Sequence, residues 1–419
     1  MPTLAPAPII RSAADAPTET RSGAGARVLV TDGEQRAALA IVRSLGAAGH
    51  AAFVCSARGR SLAGASRWCR GEARVPDPLR EPDAFVDAVA ERSAEWGIDV
   101  VLPVSEAALL AILPVRERLG PIRIPFPSAD AFRRVCDKAA VAEAAERVGI
   151  RVPAQRVVST VGEAEAAAEG LLFPLVAKPA RSVADADGAR VKTGVAHVDG
   201  PAALRAAARS MPAGAYPLLL QERVVGPGVG VFLLLRGGET VAAFAHRRIR
   251  EKPPSGGVSV YRESAPLPAD LLARSEALLA ALGWEEGVAM VEYKVDAATG
   301  APYLMEINGR FWGSLQLAVD AGVDFPALLV GGARAAGGEP PAYRIGVRSR
   351  WEWGEVDHLL ARLRRTPAQL SLPPGSPGRA RALADFFRAA ASPASRGEVF
   401  RLSDPAPFLR ESLDWFARR

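Results

Sequence analysis

The chain has 419 residues, 49% of them hydrophobic and 23% charged, with a formal net charge of +6. At about 100–200 residues per domain it has room for two to four domains with real cores, and it is too apolar to be disordered. Three cysteines and four histidines at scattered positions exclude a disulfide scaffold and a Cys or HExxH zinc site, and point to a reducing, cytoplasmic compartment.

Residues 1–26 are rich in Ala, Pro, Ser and Thr and lack the apolar stretch of a secretion signal, so they read as a disordered leader. No run approaches the ~18–20 apolar residues that span a membrane. Residues 27–127 alternate strand and helix: ARVLVTD, the helix EQRAALAIVRSLGAAG, HAAFVCS, a helix over 82–96, the strand DVVLPVS and a helix from Ser105. Such alternation predicts a Rossmann-like parallel sheet. Its first turn, Thr31-Asp32-Gly33-Glu34, is not GxGxxG, which removes the dinucleotide fingerprint and with it an oxidoreductase.

A helix over about 130–148 ends at Gly149 and leads into residues 150–335, where strands follow one another closely: FPLVAKP, YPLLLQERVV, GVFLLLRGG and ETVAAFAHRRI, with helices near 161–169 and 201–209. Short connections favour antiparallel pairing, an α+β region unlike the first. GGARAAGGEPPAY (331–343) reads as a boundary, and 340–419 as mainly helical, broken by SLPPGSPG. From Pro340 to Arg419 fourteen arginines oppose eight acids, which is the entire +6. The rest is neutral, so the chain is not a general nucleic-acid binder. Its amphipathic C-terminal helices would either pack on the body or dock an acidic carrier protein or anionic surface.

The sharpest constellation is MVEYKVDAATGAPYLMEING, 290–309. Two period-2 strands flank a turn at Ala297–Gly300 and predict a hairpin. Symmetrical pairing sets Glu292 opposite Glu306, with Asn308 on the same face; Val291, Tyr293, Val295, Met305 and Ile307 form the apolar face. Like charges directly opposite destabilise a sheet by up to ~1 kcal/mol, and a divalent cation removes that penalty. Two carboxylates and an amide oxygen are a hard-ligand set suited to Mg²⁺, with Mn²⁺ as the alternative.

Asp137-Lys138, then Lys178 in FPLVAKP, then LLLQERVVG, then Glu292 and Glu306-x-Asn308 stand in an order that resembles the ATP-grasp superfamily over about 27–335. Biotin carboxylase and the carbamoyl phosphate synthetase large subunit belong to that superfamily. The resemblance implies an α/β and α+β ATP-grasp fold: an N-terminal Rossmann-like domain (27–127), an ATP-grasp region (128–335) with a lid over about 150–220 and a larger part over about 221–335, and the C-terminal region. It implies that Lys138 and Lys178 bind phosphates, that main chain at Gln221, Glu222 and Val224 binds adenine, and that Glu292, Glu306 and Asn308 hold the metal. Arg310 would contact the transferred phosphoryl group or a substrate carboxylate. The implied reaction is ATP-dependent joining of a small-molecule carboxylate to an amine through an acylphosphate. A bicarbonate or thiol acceptor, or a silent nucleotide-binding scaffold, remains open, as does a homo-oligomer.

Three features depart from the pattern. GPGVGVFLLL follows the hinge without an acid for the ribose, the loop 180–194 has a single early glycine at Gly188, and AHRRIREKPPSGGVS (245–259) reads equally as a mobile cationic lid carrying Arg247, Arg248 and Arg250 or as a solvated loop. Of 52 basic residues only five are lysine, and four of these (Lys138, Lys178, Lys252, Lys294) fall within or beside these motifs.

Overall fold

The structure, a computed structural model, describes residues 25–186, 189–192, 194–331, 340–373 and 375–419. The leader apart from its last two residues, Gly188 and most of the 331–343 boundary lie outside them.

The first sheet is built from β1 (Arg27–Val30), α1 (Arg36–Ala47), β2 (Ala51–Ser56), β3 (Cys69–Arg74), α2 (Pro82–Glu95), β4 (Val100–Leu102) and α3 (Glu106–Ile112). Its strands are parallel in the order β3-β2-β1-β4, so the order reverses beside β1. β1, β2 and β4 are short apolar runs buried under α1. The edge strand β3, CRGEAR, is polar and half exposed, and no periodicity in the sequence marks it.

The expected helix over 130–148 is two helices, α4 (Ala129–Cys136) and α5 (Lys138–Arg147). Asp137 between them is extended (φ −94°, ψ 105°), and its carboxylate accepts the N–H groups of Ala139 and Ala140. That N-cap restarts the chain in a new direction and places Lys138 at the first turn of α5.

A second, antiparallel sheet follows: β5 (Gln155–Val158), α6 (Val161–Ala167), β6 (Leu175–Pro179), the hairpin β7 (Val183–Ala186) and β8 (Ala189–Lys192), β9 (Ala196–Val198), α7 (Pro201–Ser210) and β10 (Leu218–Glu222). The order is β5-β10-β6-β9, with β7 and β8 paired separately. Leu175, Ala177, Leu204, Leu218 and Leu220 give it a small core of its own.

The third sheet contains β11 (Gly228–Arg236), β12 (Glu239–Lys252), β13 (Val258–Ser264), then after α8 (Ala269–Ala281) β14 (Gly287–Val295) and β15 (Pro302–Asn308). Helices α9 (Leu315–Ala321) and α10 (Phe325–Gly331) lead on to β16 (Arg348–Arg350), α11 (Glu352–Arg364), α12 (Arg379–Ala391), β17 (Ser395–Gly397) and α13 (Ala406–Ala417). Seven strands run β15-β14-β11-β12-β13-β16-β17, so the mainly helical C-terminal region also extends this sheet. One continuous apolar core joins it to the N-terminal sheet, from Val28 to Val399.

The C-terminal charge is not a free basic tail. Glu398, buried, accepts Arg36 and Arg262; Asp404 accepts Arg43 at 2.9 Å; Glu355 accepts Arg250 at 2.5 and 3.0 Å. The region contributes acids to arginines of the body, which is the packing alternative of the two. Among the described residues no helix is long and apolar enough to cross a membrane.

Candidate active site

β14 and β15 pair as the hairpin pattern requires, with Glu292 opposite Glu306, Val291 opposite Ile307 and Met290 opposite Asn308. One step nearer the turn the register shifts, and Tyr293 faces Leu304. Met305 is therefore the bulged residue and not a member of the buried apolar face with Val291, Tyr293 and Ile307. The bulge has a use: the Met305 carbonyl accepts a hydrogen bond from Lys178 Nζ at 3.2 Å.

Lys178 stands at the end of β6, only 7% exposed. Its ammonium also donates to Gln221 Oε1 at 2.9 Å, and Gln221 Nε2 donates to Gln155 Oε1 at 2.9 Å. The Gln221 side chain, not only its main chain, thus orients the lysine. Burial, with Lys138 adding and Glu306 opposing, pulls the Lys178 ammonium down to about 8. Lys138 Nζ donates to Ser182 Oγ at 2.9 Å, which ties α5 to the strap after β6. Glu222 turns its carboxylate away to the Leu172 N–H at 2.8 Å, leaving its main chain at the hinge. Val224, half-buried, lines a cavity of about 360 Å³ together with Gly228, Arg248 and Lys294.

Two arginines stand at this face, one on an acid and one on Asn308. Arg248 Nη2 donates to Glu292 at 2.5 Å, while Nη1 donates to Glu251 at 2.9 Å and to the Gly257 carbonyl at 3.0 Å. Its side chain crosses β11 where a Cβ on Gly228 would lie 2.8 Å from its Cδ, which explains a glycine there. Arg310 donates to Asn308 Oδ1 at 2.9 Å, and Asn308 Nδ2 donates to Glu306 at 3.0 Å. Burial, against Arg248 and with Glu306 adding, raises Glu292 above the ordinary carboxylate range. Burial also pushes Glu306 up, but Lys138, Lys178, the Asn308 bond and Arg310 together hold it below that range.

The structure therefore gathers Lys178, Gln221, Arg248, Glu292, Glu306, Asn308 and Arg310 around one buried face, with Lys138 acting on it electrostatically. It does not bring the Glu222 carboxylate there. The segment 245–259 is not a mobile lid. It is the β12–β13 hairpin, in which Arg247 pairs with Glu263 at 2.6 Å, Arg250 with Glu355, and Lys252 with Asp357. Phe311 and Trp312 are buried packing residues. Sequence reasoning missed Gln155, Ser182 and the Met305 carbonyl. No signal marks a bulge, and of the glycines in GPGVG only Gly228 lies at the crossing point of Arg248.

The donor set fits a divalent cation. Two carboxylates stand on directly paired cross-strand residues, burial disfavours charge on both, and an amide oxygen stands beside them. No group of three or more His, Cys, Asp or Glu side chains suited to a metal occurs among the described residues, so a cation here would rest on two carboxylates and the amide oxygen.

No protein-family model matches the chain. Among curated proteins it is 25% identical over 266 residues to the carbamoyl phosphate synthase large chain of Thermus thermophilus, covering 61% of this chain and 24% of that protein. A second such large chain, from Rubrobacter xylanophilus, is 33% identical over 98 residues, 23% of this chain and 8% of that one. The chain thus spans about a quarter or less of the curated relatives it matches. Among solved structures, L-amino acid ligase from Bacillus licheniformis aligns with TM-score 0.59 and 18% identity, over 75% of each chain. An N5-carboxyaminoimidazole ribonucleotide synthetase in its ADP complex aligns with TM-score 0.60 and 17% identity over 78% and 80%. Biotin carboxylase from Campylobacter jejuni, solved as a β,γ-ATP complex, aligns with TM-score 0.59 and 16% identity over 77% and 74%. At these identities the likeness is one of fold.

Proposed function

We infer that this chain, which has the ATP-grasp fold, is an ATP-dependent ligase that activates a carboxylate as an acylphosphate and joins it to an amine, releasing ADP and phosphate. The observation that carries the reading is the half-buried, opposed pair Glu292 and Glu306, with Lys178, Arg248 and Arg310 converging on it. Opposed buried acids cost stability unless a ligand cation is shared between them. The fold shared with an amino acid ligase and a biotin carboxylase supports the same reading.

Glu292, Glu306 and the Asn308 oxygen would hold Mg²⁺ or Mn²⁺, which neutralises the acids and presents a nucleotide's phosphate oxygens. The hinge main chain at Glu222–Val224 receives the adenine edge, and the cavity beside it takes the sugar. Lys178 is preset by Gln221 and the Met305 carbonyl, so its ammonium is already oriented when phosphate arrives. Lys138 supplies the second point charge. Arg248 and Arg310, held at the metal ligands, are placed to stabilise charge as the phosphoryl group moves to the substrate carboxylate. The amine then forms the C–N bond, phosphate leaves with the C–O electrons, and the amine's proton passes to solvent. No side-chain nucleophile is involved; positioning and electrostatics suffice. The domain limits set out above, and a cytoplasmic location, belong to this reading.

The test is ADP release from MgATP with panels of carboxylates and amines, with hydroxylamine present in a parallel series. Hydroxamate formation that depends on one carboxylate supports the acylphosphate. ADP release that needs bicarbonate alone, or no release with any acid, removes the carboxylate–amine assignment.

A further inference from the structure

A second cavity, of about 340 Å³, is lined by none of the residues assigned above. One wall is the pair of loops that follow β1 and β2, including Glu34–Arg36 and Arg58–Leu62. The other is Trp351, Trp353 and α13 from Arg410 to Arg418. The carboxyl ends of parallel strands are where open α/β sheets bind ligands. Arg60, on one of these loops, holds a left-handed φ of +52°, a conformation that a non-glycine residue keeps only when its surroundings impose it.

Most charges in this cavity are already used. Asp357 accepts Lys252, Arg419 and the Trp415 indole; Asp414 pairs with Arg410 at 3.3 Å; Arg36 pairs with Glu398. What is left over is specific. Glu411 accepts the Trp351 indole N–H through Oε1 at 2.8 Å, but its buried Oε2 has no partner among the described residues, nor has the adjacent buried Arg410 Nε. Buried polar atoms are rarely left unpaired without a reason. Burial, with Glu352 and Glu398 adding and the Trp351 bond and Arg36 opposing, pushes the Glu411 carboxyl up to about 7. Arg58, Arg60 and Arg418 line the same cavity, and among the described residues their side chains make no ion pair. The indoles favour positive groups, since Arg36 already lies 4.0 Å from the Trp351 ring and Arg419 4.1 Å from Trp415.

An orphan acceptor among tryptophans asks for an N–H donor, and unpaired guanidiniums ask for a carboxylate. We propose that this cavity binds a free α-amino acid as its zwitterion, the ammonium on Glu411 and the carboxylate on Arg58, Arg60 and Arg418, and that this is the amine substrate. Its role as substrate rests on the ligase reading; the binding does not. Arg36 joins the two places: a Cβ on Gly313 would lie 2.8 Å from its Nη2, so the cavity wall abuts the segment that follows Arg310.

The experiment is isothermal titration calorimetry of the full, nucleotide-free chain with each proteinogenic L-amino acid up to about 10 mM. The N-acetyl and methyl ester forms of any binder follow. At least one amino acid should bind, and either blocking group should weaken it about tenfold or more. Glu411→Gln should weaken the free amino acid by a similar factor and leave the N-acetyl form unchanged. The Arg58→Ala, Arg60→Ala double variant, on exposed loop positions, should weaken the free acid and spare the ester. Heat capacity scans establish that each variant is folded. No binding by any amino acid, an N-acetyl form that binds as well as the free one, or affinity indifferent to both variants overturns the proposal. Amino acid binding without any amino-acid-dependent ADP formation removes the substrate role and leaves the binding site standing, while the ligase reading falls only if no carboxylate and amine give ADP. ADP formation with an amino acid whose affinity ignores Glu411 removes the site and leaves the ligase reading standing.

Discussion

Two regions of the molecule hold acids and bases together below the surface, and they are arranged differently. At Glu398, Glu355 and Asp404 every carboxylate meets at least one guanidinium from another part of the chain, so the C-terminal region is fastened to both the N-terminal and the third sheet. At the hairpin two carboxylates face each other. Glu292 has Arg248, but Glu306 makes no ion pair among the described residues and is held by the Asn308 amide and by more distant cations. The first arrangement pairs each acid with a guanidinium of the chain itself and serves stability, although the buried Glu398 Oε1 and Arg262 Nε have no partner among the described residues. The second stays short of charge until a cation and a phosphate arrive, as expected of a site kept ready for both.

That contrast can be broken by single substitutions. The largest effect is expected for Glu306→Gln, which should lower ADP release by ~10³-fold or more while the chain still folds, with a modestly lower melting temperature because Lys138, Lys178 and Arg310 favour the Glu306 charge. Near-normal turnover would remove Glu306 from the site. Glu398→Ala should do the opposite. It leaves Arg262 and Arg36 without their acid and should cost about 3–5 kcal/mol in chemical denaturation, with activity per folded molecule retained. A loss under 1 kcal/mol there would mean the fastening is not what it resembles. Arg248→Met should reduce kcat by roughly 10–100-fold with a smaller stability change, measured by steady-state kinetics beside a melting curve.

A change of pH bears on the same site without altering a residue. Lys178 titrates at about 8 in the folded chain against 10.5 for a free lysine. Below pH 8 both states are protonated and the folded state bears the whole burial cost. Between about 8 and 10.5 the unfolded chain binds the extra proton, so nucleotide-free stability should rise with pH, by about 3 kcal/mol in all. Lys178→Met should flatten that rise, and ATP affinity of the unaltered chain should fall over the same range as the ammonium loses its charge. A rise that survives Lys178→Met would assign the titration elsewhere.

The parallel first sheet, the antiparallel strands that follow and the Glu292–Glu306 pairing were legible in the sequence, because apolar period and turn chemistry are local. The break at Asp137 was not, since a helical pattern continues through it and only the cap geometry reveals the stop. β3 was missed because an exposed edge strand carries no apolar repeat. The segment 245–259 looked like a loop because its arginines are polar, yet they find Glu263, Glu355 and Glu251, two of which lie on other strands or helices.

What sequence alone determined was the inventory and order of the chemistry: few lysines at motif positions, two acids opposite one another, an arginine after them. The tertiary structure decided which side chains meet. The bulge at Met305 supplies a carbonyl to Lys178, Gly228 leaves the passage by which Arg248 reaches Glu292, and the +6 that stood out as a basic tail turns out to be anchored to the body. These outcomes depend on contacts between residues far apart in the chain, where distance and burial set the energy, and no local pattern encodes them.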